Sequence, residues 1–443
     1  MKLVLLLCTV GVNLQDCPPF ASLHRPDLSP ADETTWNGLY AAGVSLETEG
    51  RWADAAAQYQ EAGRRDDGFA ELHFRLARCW LALGRDAEAR DHFQKASDED
   101  ALRFRADRQI NRIIREAAAA WGERGVRLLD AEEMFSRHAP RGIPGAELFY
   151  EHVHLTPEGN YQLARAAAEE VETWFFAIRK QTEAASTHAS TDPNAPQESP
   201  REDTKREPAS ATSWLSKAEC EVQLGYTAWN ESQALRLVLG RMQLPPFVGT
   251  IGRTNRLEKL QRQVNQLVAG NTPAGLQAQA ERVRRAVATH ARDWMLRENL
   301  GLLLSMAQDL DGANEQLREA IRLMPHAPGP YFSFAGVLAL QGHTDEAVKY
   351  YQECLRLAPD NFGALTRLGI VELSRRRFPD AIAYFHAAIR AKPDSVSARL
   401  YLGGALFQQQ RRVEAREQFR EVLRLDPNNT EARRLLQDAG GTN

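Results

Sequence analysis

The chain lacks the features that mark an extracellular, membrane-spanning or zinc-stabilised protein. Its 443 residues include five cysteines, an odd number, widely spaced and without a Cys-x-x-Cys pair. This argues against a disulfide framework and a zinc site, so we expect reduced, mostly buried thiols. No stretch approaches the roughly 18 to 20 apolar residues that span a bilayer, so we predict no transmembrane segment.

A strong net charge is also missing. The formal net charge is −4, with 43% apolar and 26% charged residues, a composition ordinary for a soluble globular protein. We therefore expect no nucleic-acid partner, and no motif indicates a cofactor. A chain of this length is expected to form two or three domains.

The N-terminus carries one short apolar run, Leu3 to Leu7. Only one lysine precedes it, and no small-x-small cleavage site follows, as it would in a signal peptide. We therefore interpret the run as a buried parallel strand. The compartment stays open, with the cytoplasm favoured for the chain as given.

An internal repeat dominates the C-terminal part of the chain. Four segments of 34 residues follow one another without a gap: 294–327, 328–361, 362–395 and 396–429. Each ends near a proline, and each has a small residue in its second half followed four positions later by a large apolar one. These residues are Pro325, Pro359, Pro393 and Pro427; Ala313, Ala347, Ala381 and Ala415; and Leu317, Tyr351, Phe385 and Phe419. The pattern resembles the tetratricopeptide repeat (TPR) family, which implies paired helices stacked into an α-solenoid.

The same pattern appears earlier, over residues 36–97. The pairs that match at a distance of 34 residues are Gly43 and Ala77, Ala55 and Ala89, and Tyr59 and Phe93. Two hairpins are too few for a free-standing solenoid. We therefore predict that they form an insertion packed on another domain.

Residues 148–160 predict what that other domain is. They read Leu-Phe-Tyr-Glu-His-Val-His-Leu-Thr-Pro-Glu-Gly-Asn, with Glu151 three residues before His154. This resembles the last motif block of SGNH (GDSL-type) hydrolases, which have an α/β fold. In that family the acid orients the histidine, which takes the proton of a serine. The resemblance covers residues 1–30 and 101–180 and implies Glu151 and His154 as catalytic residues.

The rest of the SGNH active site has no counterpart in the sequence. The serine block is absent, as are the glycine and asparagine that complete the oxyanion hole, and Glu151 replaces the usual aspartate. Three interpretations stay open. Glu151 and His154 are inherited residues that hold a turn, or they belong to a hydrolase whose serine half is missing, or they bind a metal together with His152. We favour the first and predict no metal site.

Around that motif we expect a helix over 101–120, a strand over Val126 to Asp130 and a helix from Thr156 to about Arg179. Residues 181–212 hold no aromatic residue, and their only apolar residues are alanine and proline, which predicts disorder. The predicted organisation is an SGNH-like strand and loop (1–32), inserted TPR-like hairpins (33–100), the SGNH-like C-terminal part (101–180), a disordered linker (181–212), a helical connector (213–275) and a TPR solenoid (276–443).

The solenoid predicts a binding groove. In TPR proteins, positions 2, 5, 9, 12 and 13 of each first helix line the concave face. The large apolar residues at these positions are Met295, Leu302, Met306, Phe332, Leu340, Ile370, Leu373, Leu400 and Phe407. Such a groove suits an amphipathic helix or an extended apolar peptide of a partner protein. An equally open alternative is that the chain's own helices from 213–290 cover part of it.

The sequence thus predicts a mainly α-helical protein that contains a TPR solenoid and an incomplete α/β domain. The favoured function is a protein–protein interaction scaffold. The alternative is an SGNH-type ester hydrolase acting on acyl or acetyl groups.

Overall fold

The computed structural model describes residues 5–102, 105–189, 214–248 and 250–440. The chain forms two units. The first contains Met1–Ala218 and Ser232–Asn265, and the second contains Glu219–Glu231 and Gln266–Asn443. Both are built mainly from α-helices. Of the described helices, none has the length and apolar character that crossing a membrane requires.

The first unit begins with a strand and two helical hairpins. The strand is β1 (Leu5–Cys8), and the hairpins are α1 (Pro30–Thr48) with α2 (Trp52–Gly63) and α3 (Ala70–Ala82) with α4 (Asp86–Asp98). The hairpins share one core with the flanking segments, since Val12, Leu14 and Ile143 are buried in the same cluster as Trp36 and Tyr59.

The chain then forms α5 (Arg108–Trp121), β2 (Val126–Leu129), α6 (Ala131–His138) and α7 (Pro157–Ala189). β1 and β2 pair in parallel, with Leu5 opposite Val126 and Cys8 opposite Leu129. The prediction of a strand near the N-terminus is confirmed, but its burial is wrong. No residue of β1 is buried, because the sheet has only these two strands among the described residues.

Several predicted boundaries in this region need correction. α5 begins at Arg108 rather than 101, because the Asp107 side chain accepts the Ile110 N–H at 2.9 Å and caps the helix there. The α6 helix was not predicted at all. α7 continues to Ala189, so the first nine residues of the predicted linker 181–212 are helical. Residues 190–212 lie outside the described residues.

The structure therefore shows a mainly helical protein and does not show the complete α/β domain that the SGNH resemblance implies. Two short strands are paired, and the hydrogen bonds from β2 go to one neighbour only. The SGNH-like part of the predicted fold stays a prediction.

The predicted connector 213–275 contains three helices, α8 (Lys217–Gln223), α9 (Ala228–Met242) and α10 (Arg253–Ala269). The helices of the second unit then follow in a regular series. They are α11 (Pro273–Thr289), α12 (Trp294–Met306), α13 (Leu310–Leu323), α14 (Pro328–Leu340), α15 (Thr344–Leu357), α16 (Phe362–Ser374), α17 (Phe378–Ala391), α18 (Val396–Gln408), α19 (Arg412–Leu425) and α20 (Thr430–Asp438). The helix pairs α12–α13 to α18–α19 coincide with the four predicted repeats.

Two sequence features set the geometry of each repeat. The second helix ends two residues before the proline, as at Leu323 and Pro325, because a residue before proline is disfavoured in helical conformation. Within the hairpin, a small residue on the first helix faces a large one on the second. A Cβ at Gly301 would lie 2.6 Å from Leu317, and one at Gly369 would lie 2.6 Å from the Phe385 ring.

The N-terminal end of the solenoid imitates a further repeat. On α11, the buried Val283 and Ala286 lie 34 residues before Leu317 and Ala320. The segment 219–231 lies against this helix, where the Trp229 N–H donates to Gln279 at 2.9 Å. α11 thus has the position of a repeat's second helix, and segment 219–231 packs against the side of α11 that would otherwise be exposed.

Neighbouring glycines on α18 test the packing of these hairpins. A Cβ at Gly403 would lie 2.4 Å from the Phe419 ring, whereas a Cβ at Gly404 would have no atom within 4 Å. We expect Gly403→Ala to destabilise the repeats by about 1 to 3 kcal/mol, because the buried ring has to move. Gly404→Ala should be neutral or stabilising by up to about 1 kcal/mol, since alanine favours a helix. Urea unfolding of the full chain, followed by circular dichroism, compares them; equal midpoints would contradict this packing.

Candidate functional site

A tight turn brings Glu151 and His154 together in the first unit. Phe149 and Leu155 form an antiparallel bridge, and the Tyr150 N–H donates to the His154 carbonyl at 2.8 Å. Directly after the turn, the Thr156 hydroxyl accepts the Gly159 N–H at 3.2 Å and so caps α7. The turn is therefore fixed by backbone bonds on one side and by a helix start on the other.

Glu151 is buried, and donors surround its carboxylate. Oε1 accepts hydrogen bonds from His154 Nδ1 and, at 3.2 Å, from the His154 N–H; Oε2 accepts the His152 N–H. Burial alone would raise the pKa of this carboxyl, but the hydrogen bonds from the two histidines outweigh it and lower the pKa to about 2. Glu151 is consequently ionised at neutral pH and orients the His154 ring.

The other nitrogen of His154 is already engaged. Its Nε2 accepts a hydrogen bond from the Arg241 guanidinium at 2.9 Å, although nearly half of the side chain is exposed. A histidine that activates a serine needs this lone pair for the serine hydroxyl. The structure thus brings the acid and the histidine together, as the resemblance implies, and places a cation where the nucleophile would stand.

Arg241 could not be found from the sequence. It lies 87 residues from His154, on α9, in a stretch with no motif that links it to the turn. Only the packing of the folded first unit brings the two side chains together.

His152 has a structural environment. It is buried, with its ring stacked on Phe20 at 4.1 Å between centroids and set edge-on to Phe247 at 5.4 Å. Burial lowers the pKa of this imidazole, so it is neutral at physiological pH. Within the described parts of the chain, no three His, Cys, Asp or Glu side chains are grouped so that they could hold a metal ion.

The nine predicted groove residues all lie on the first helices of the C-terminal repeats, α12, α14, α16 and α18. Three are well exposed: Met295 (55%), Met306 (40%) and Leu340 (66%). The other six are partly buried, and four of these, Ile370, Leu373, Leu400 and Phe407, pack against the core formed by Phe385, Leu402 and Phe419. The apolar surface is therefore most open in the first two repeats.

Segment 219–231 of the second unit lies away from that open part. Within the second unit, segment 219–231 contacts α11 and the first turn of α12, where a Cβ at Gly225 would lie 3.4 Å from Leu296. Leu296 points into the core and is not one of the predicted groove residues. The alternative that this segment closes the groove is thus not supported for Met295, Met306 or Leu340.

One charged residue lies among these apolar side chains. Glu298 occupies position 5 of the first repeat and is partly buried, and its Oε1 accepts a hydrogen bond from the Ser333 hydroxyl at 2.8 Å. Burial raises the pKa of this carboxyl, and the bond from Ser333 offsets the increase only in part. In the sequence, Glu298 is distinguished by being acidic at an otherwise apolar set of groove positions.

Comparison with protein families identifies the repeats. Two family models, both described as tetratricopeptide repeat, match residues 334–395 and 366–430 in the second unit and residues 46–107 in the first. The chain therefore contains TPR motifs in both units, as predicted. No protein of curated function gives a significant match.

The solved structures named here resemble the chain over less than half of its length. They include the MamA protein, with 18% identity and a TM-score of 0.32 over 36% of this chain and 86% of that one. YrrB, described as a TPR protein with an unusual peptide-binding site, has 14% identity and a TM-score of 0.32 over 46% and 99%. The first TPR of Spaghetti (RPAP3), bound to an HSP90 peptide, has 25% identity and a TM-score of 0.24 over 25% and 87%.

The low pKa of Glu151 predicts a pH dependence of stability. Its pKa is about 2 in the folded chain, against an ordinary value of 4.5, so the unfolded chain binds this proton more readily. The carboxylate stabilises the fold above its ordinary pKa, and this contribution is lost as the pH falls through the folded pKa. We expect Glu151→Gln to lower stability at neutral pH and to flatten the loss of stability on acidification.

The measurement is the thermal unfolding midpoint of the full chain between about pH 7 and pH 2, followed by circular dichroism. Glu116→Gln is the control, because Glu116 is exposed and forms its ion pair with Arg112 on the same helix. If Glu151→Gln follows the wild-type pH profile as closely as this control does, the carboxylate does not stabilise the turn.

Proposed function

We propose that this protein is an interaction scaffold whose C-terminal repeats bind an apolar peptide segment of a partner protein. The observation that carries the proposal is the exposed apolar surface of the first two repeats. The side chains of Met295, Met306 and Leu340 are removed from water only when a partner covers them. A repeat array offers an extended concave surface on which such a partner can bind. The nine groove residues are the proposed contact surface, and the three exposed ones lie at the end formed by the first two repeats.

The flexibility of the methionines supports a peptide ligand. A methionine side chain is unbranched and adapts to varied shapes, which suits a surface that receives side chains from another chain. The second helices instead carry many charged residues, such as the Glu319–Arg322 pair on α13. The contrast between an apolar first-helix face and charged second helices favours binding on the concave side.

For the first unit, we propose that Glu151 and His154 hold the turn before α7. Glu151 accepts hydrogen bonds from the backbone of the turn as well as from the imidazole, which is the arrangement of a structural carboxylate. The predicted organisation into inserted hairpins and flanking segments is part of this proposal, and so is the SGNH-type origin of the flanking segments.

Ester hydrolysis is a second candidate function, favoured by the contact between Glu151 and His154 Nδ1. It is the weaker candidate because the Arg241 guanidinium, and not a hydroxyl, donates to His154 Nε2. A working enzyme of this type would also need oxyanion donors, each of which accelerates such a reaction by about a hundredfold or more.

Hydrolysis of p-nitrophenyl acetate separates the two candidates. We expect the wild-type chain and the His154→Ala variant to release p-nitrophenol at the same background rate, because His154 has no nucleophile to activate. Turnover that His154→Ala abolishes would show that the chain is an esterase and that a nucleophile reaches His154.

The groove is tested by selecting peptides and then altering one exposed residue. Random 12-residue peptides displayed on phage are selected on the full chain, and the Kd of synthetic copies is measured by fluorescence polarisation. We expect Leu340→Glu to weaken binding by about tenfold or more, because it puts an unpaired charge into an apolar contact.

Val413→Glu is the matched control for Leu340→Glu. Val413 is similarly exposed, at 61%, but it lies at the start of α19, a second helix outside the groove. Selected peptides that bind both variants as tightly as the wild type would show that the concave face is not the binding surface.

A further inference from the structure

We infer that the peptide bound in the groove is apolar but carries one lysine or arginine, and that this cation pairs with Glu298. The inference rests on the proposed function, since it concerns the ligand of the same groove. It follows from the composition of the concave face, the surroundings of the carboxylate and the way other buried carboxylates in this chain are neutralised.

Glu298 is the only ionisable residue at the groove positions of the four repeats. The other residues at positions 2, 5, 9, 12 and 13 are apolar, glycine, serine, threonine or glutamine. Its neighbours on the same helix face are Met295 and Leu302. A single negative charge on an apolar surface specifies one cationic group at one position of the ligand, because opposite charges across an interface fix register.

Two residues of α14 give the Glu298 carboxylate space and keep it in place. A Cβ at Gly329 would lie 2.9 Å and 3.1 Å from the two carboxylate oxygens, so any other residue there would displace them. Ser333, one turn further along α14, donates the hydrogen bond described above. The carboxylate thus has a defined position between α12 and the first turn of α14.

The surroundings of the Glu298 carboxylate supply little positive charge. The first turn of α14 contains Pro328 and Pro330, which have no N–H to donate, so this helix start has fewer donors than most. Among the described residues, no Lys, Arg or His forms an ion pair with Glu298. One hydroxyl is a weak substitute for a cation, and accordingly burial dominates the pKa of this group and raises it.

Two other glutamates on the repeat helices have cationic partners. Glu47 pairs with Arg75 at 2.9 Å and Arg78 at 2.7 Å, and Glu372 pairs with Arg375 at 3.0 Å. Leaving a partly buried carboxylate without such a partner costs stability. At Glu298 the missing partner is expected to come with the ligand, whose ammonium or guanidinium would also draw the pKa of this carboxyl back down.

The test uses the peptides selected on the full wild-type chain. We expect them to share one Lys or Arg among apolar residues. Replacing that residue by methionine in the synthetic peptide should weaken binding to the wild type by about tenfold or more, as expected for loss of a charge-assisted hydrogen bond. The same replacement should change binding to Glu298→Gln by less than about twofold.

Glu298→Gln keeps the size of the side chain and its hydrogen bond to Ser333, so circular dichroism should show an unchanged fold. Glu315→Gln is the control, because it removes the same charge from an exposed position on the second helix α13. This variant should distinguish the two peptides as the wild type does.

The outcomes separate this inference from the proposed function. Selected peptides without a shared cation, or an equal loss on Glu298→Gln and wild type, would overturn the cation pairing while leaving the groove as the binding surface. Binding that Leu340→Glu does not weaken would overturn the groove itself. The pairing is supported if Glu298→Gln binds the two peptides about equally while Glu315→Gln still binds the cationic peptide more tightly.

Discussion

The contact between a small residue on one helix and a large buried residue on the next sets the geometry of both repeat regions. In the first unit, a Cβ at Gly43 would lie 2.5 Å from the Tyr59 ring, and in the second, Gly403 and Phe419 meet in the same way. Because the large side chain fills the space beside a glycine that has no side chain, the two helices approach closely. The first helices of successive repeats then stand side by side and present one face.

In such close packing a buried charged group needs hydrogen-bond or ion-pair partners. The carboxylates of this chain differ in the partners that they have. Glu47 lies between arginines and accepts the Tyr59 hydroxyl at 2.8 Å, which ties α1, α2 and α3 together. Glu151 accepts hydrogen bonds from the His154 ring and from the N–H groups of His152 and His154. These glutamates stabilise the fold because their partners belong to the same folded chain. Glu298 differs because the donor that it has among the described residues is a neutral hydroxyl, and this difference separates a residue available to a ligand from one committed to the structure.

The repeat hairpins could be predicted from the sequence, whereas the features without a repeat pattern could not. The 34-residue period was sufficient for the hairpins, because small and large residues recur at fixed offsets and prolines mark the ends. α11 lies largely within the predicted solenoid range 276–443, but its role as a repeat-like second helix depends on segment 219–231, which has no repeat pattern. The resemblance to SGNH hydrolases implied the Glu151–His154 contact, since the two residues match the acid and the histidine of one motif block. Arg241 could not be predicted, because it reaches His154 only through tertiary packing.

The exposure of the concave face changes along the array, and this restricts where a ligand can bind. In the last two repeats, Leu400 and Phe407 pack onto the core around Phe419, so their apolar surface is already partly removed from water. In the first two repeats, Met295 and Leu340 remain exposed, so covering them releases the most water and yields the most free energy. Glu298 lies in this same region. The apolar attraction and the single charge therefore act at one end of the groove, which would fix both the position and the direction of a bound peptide.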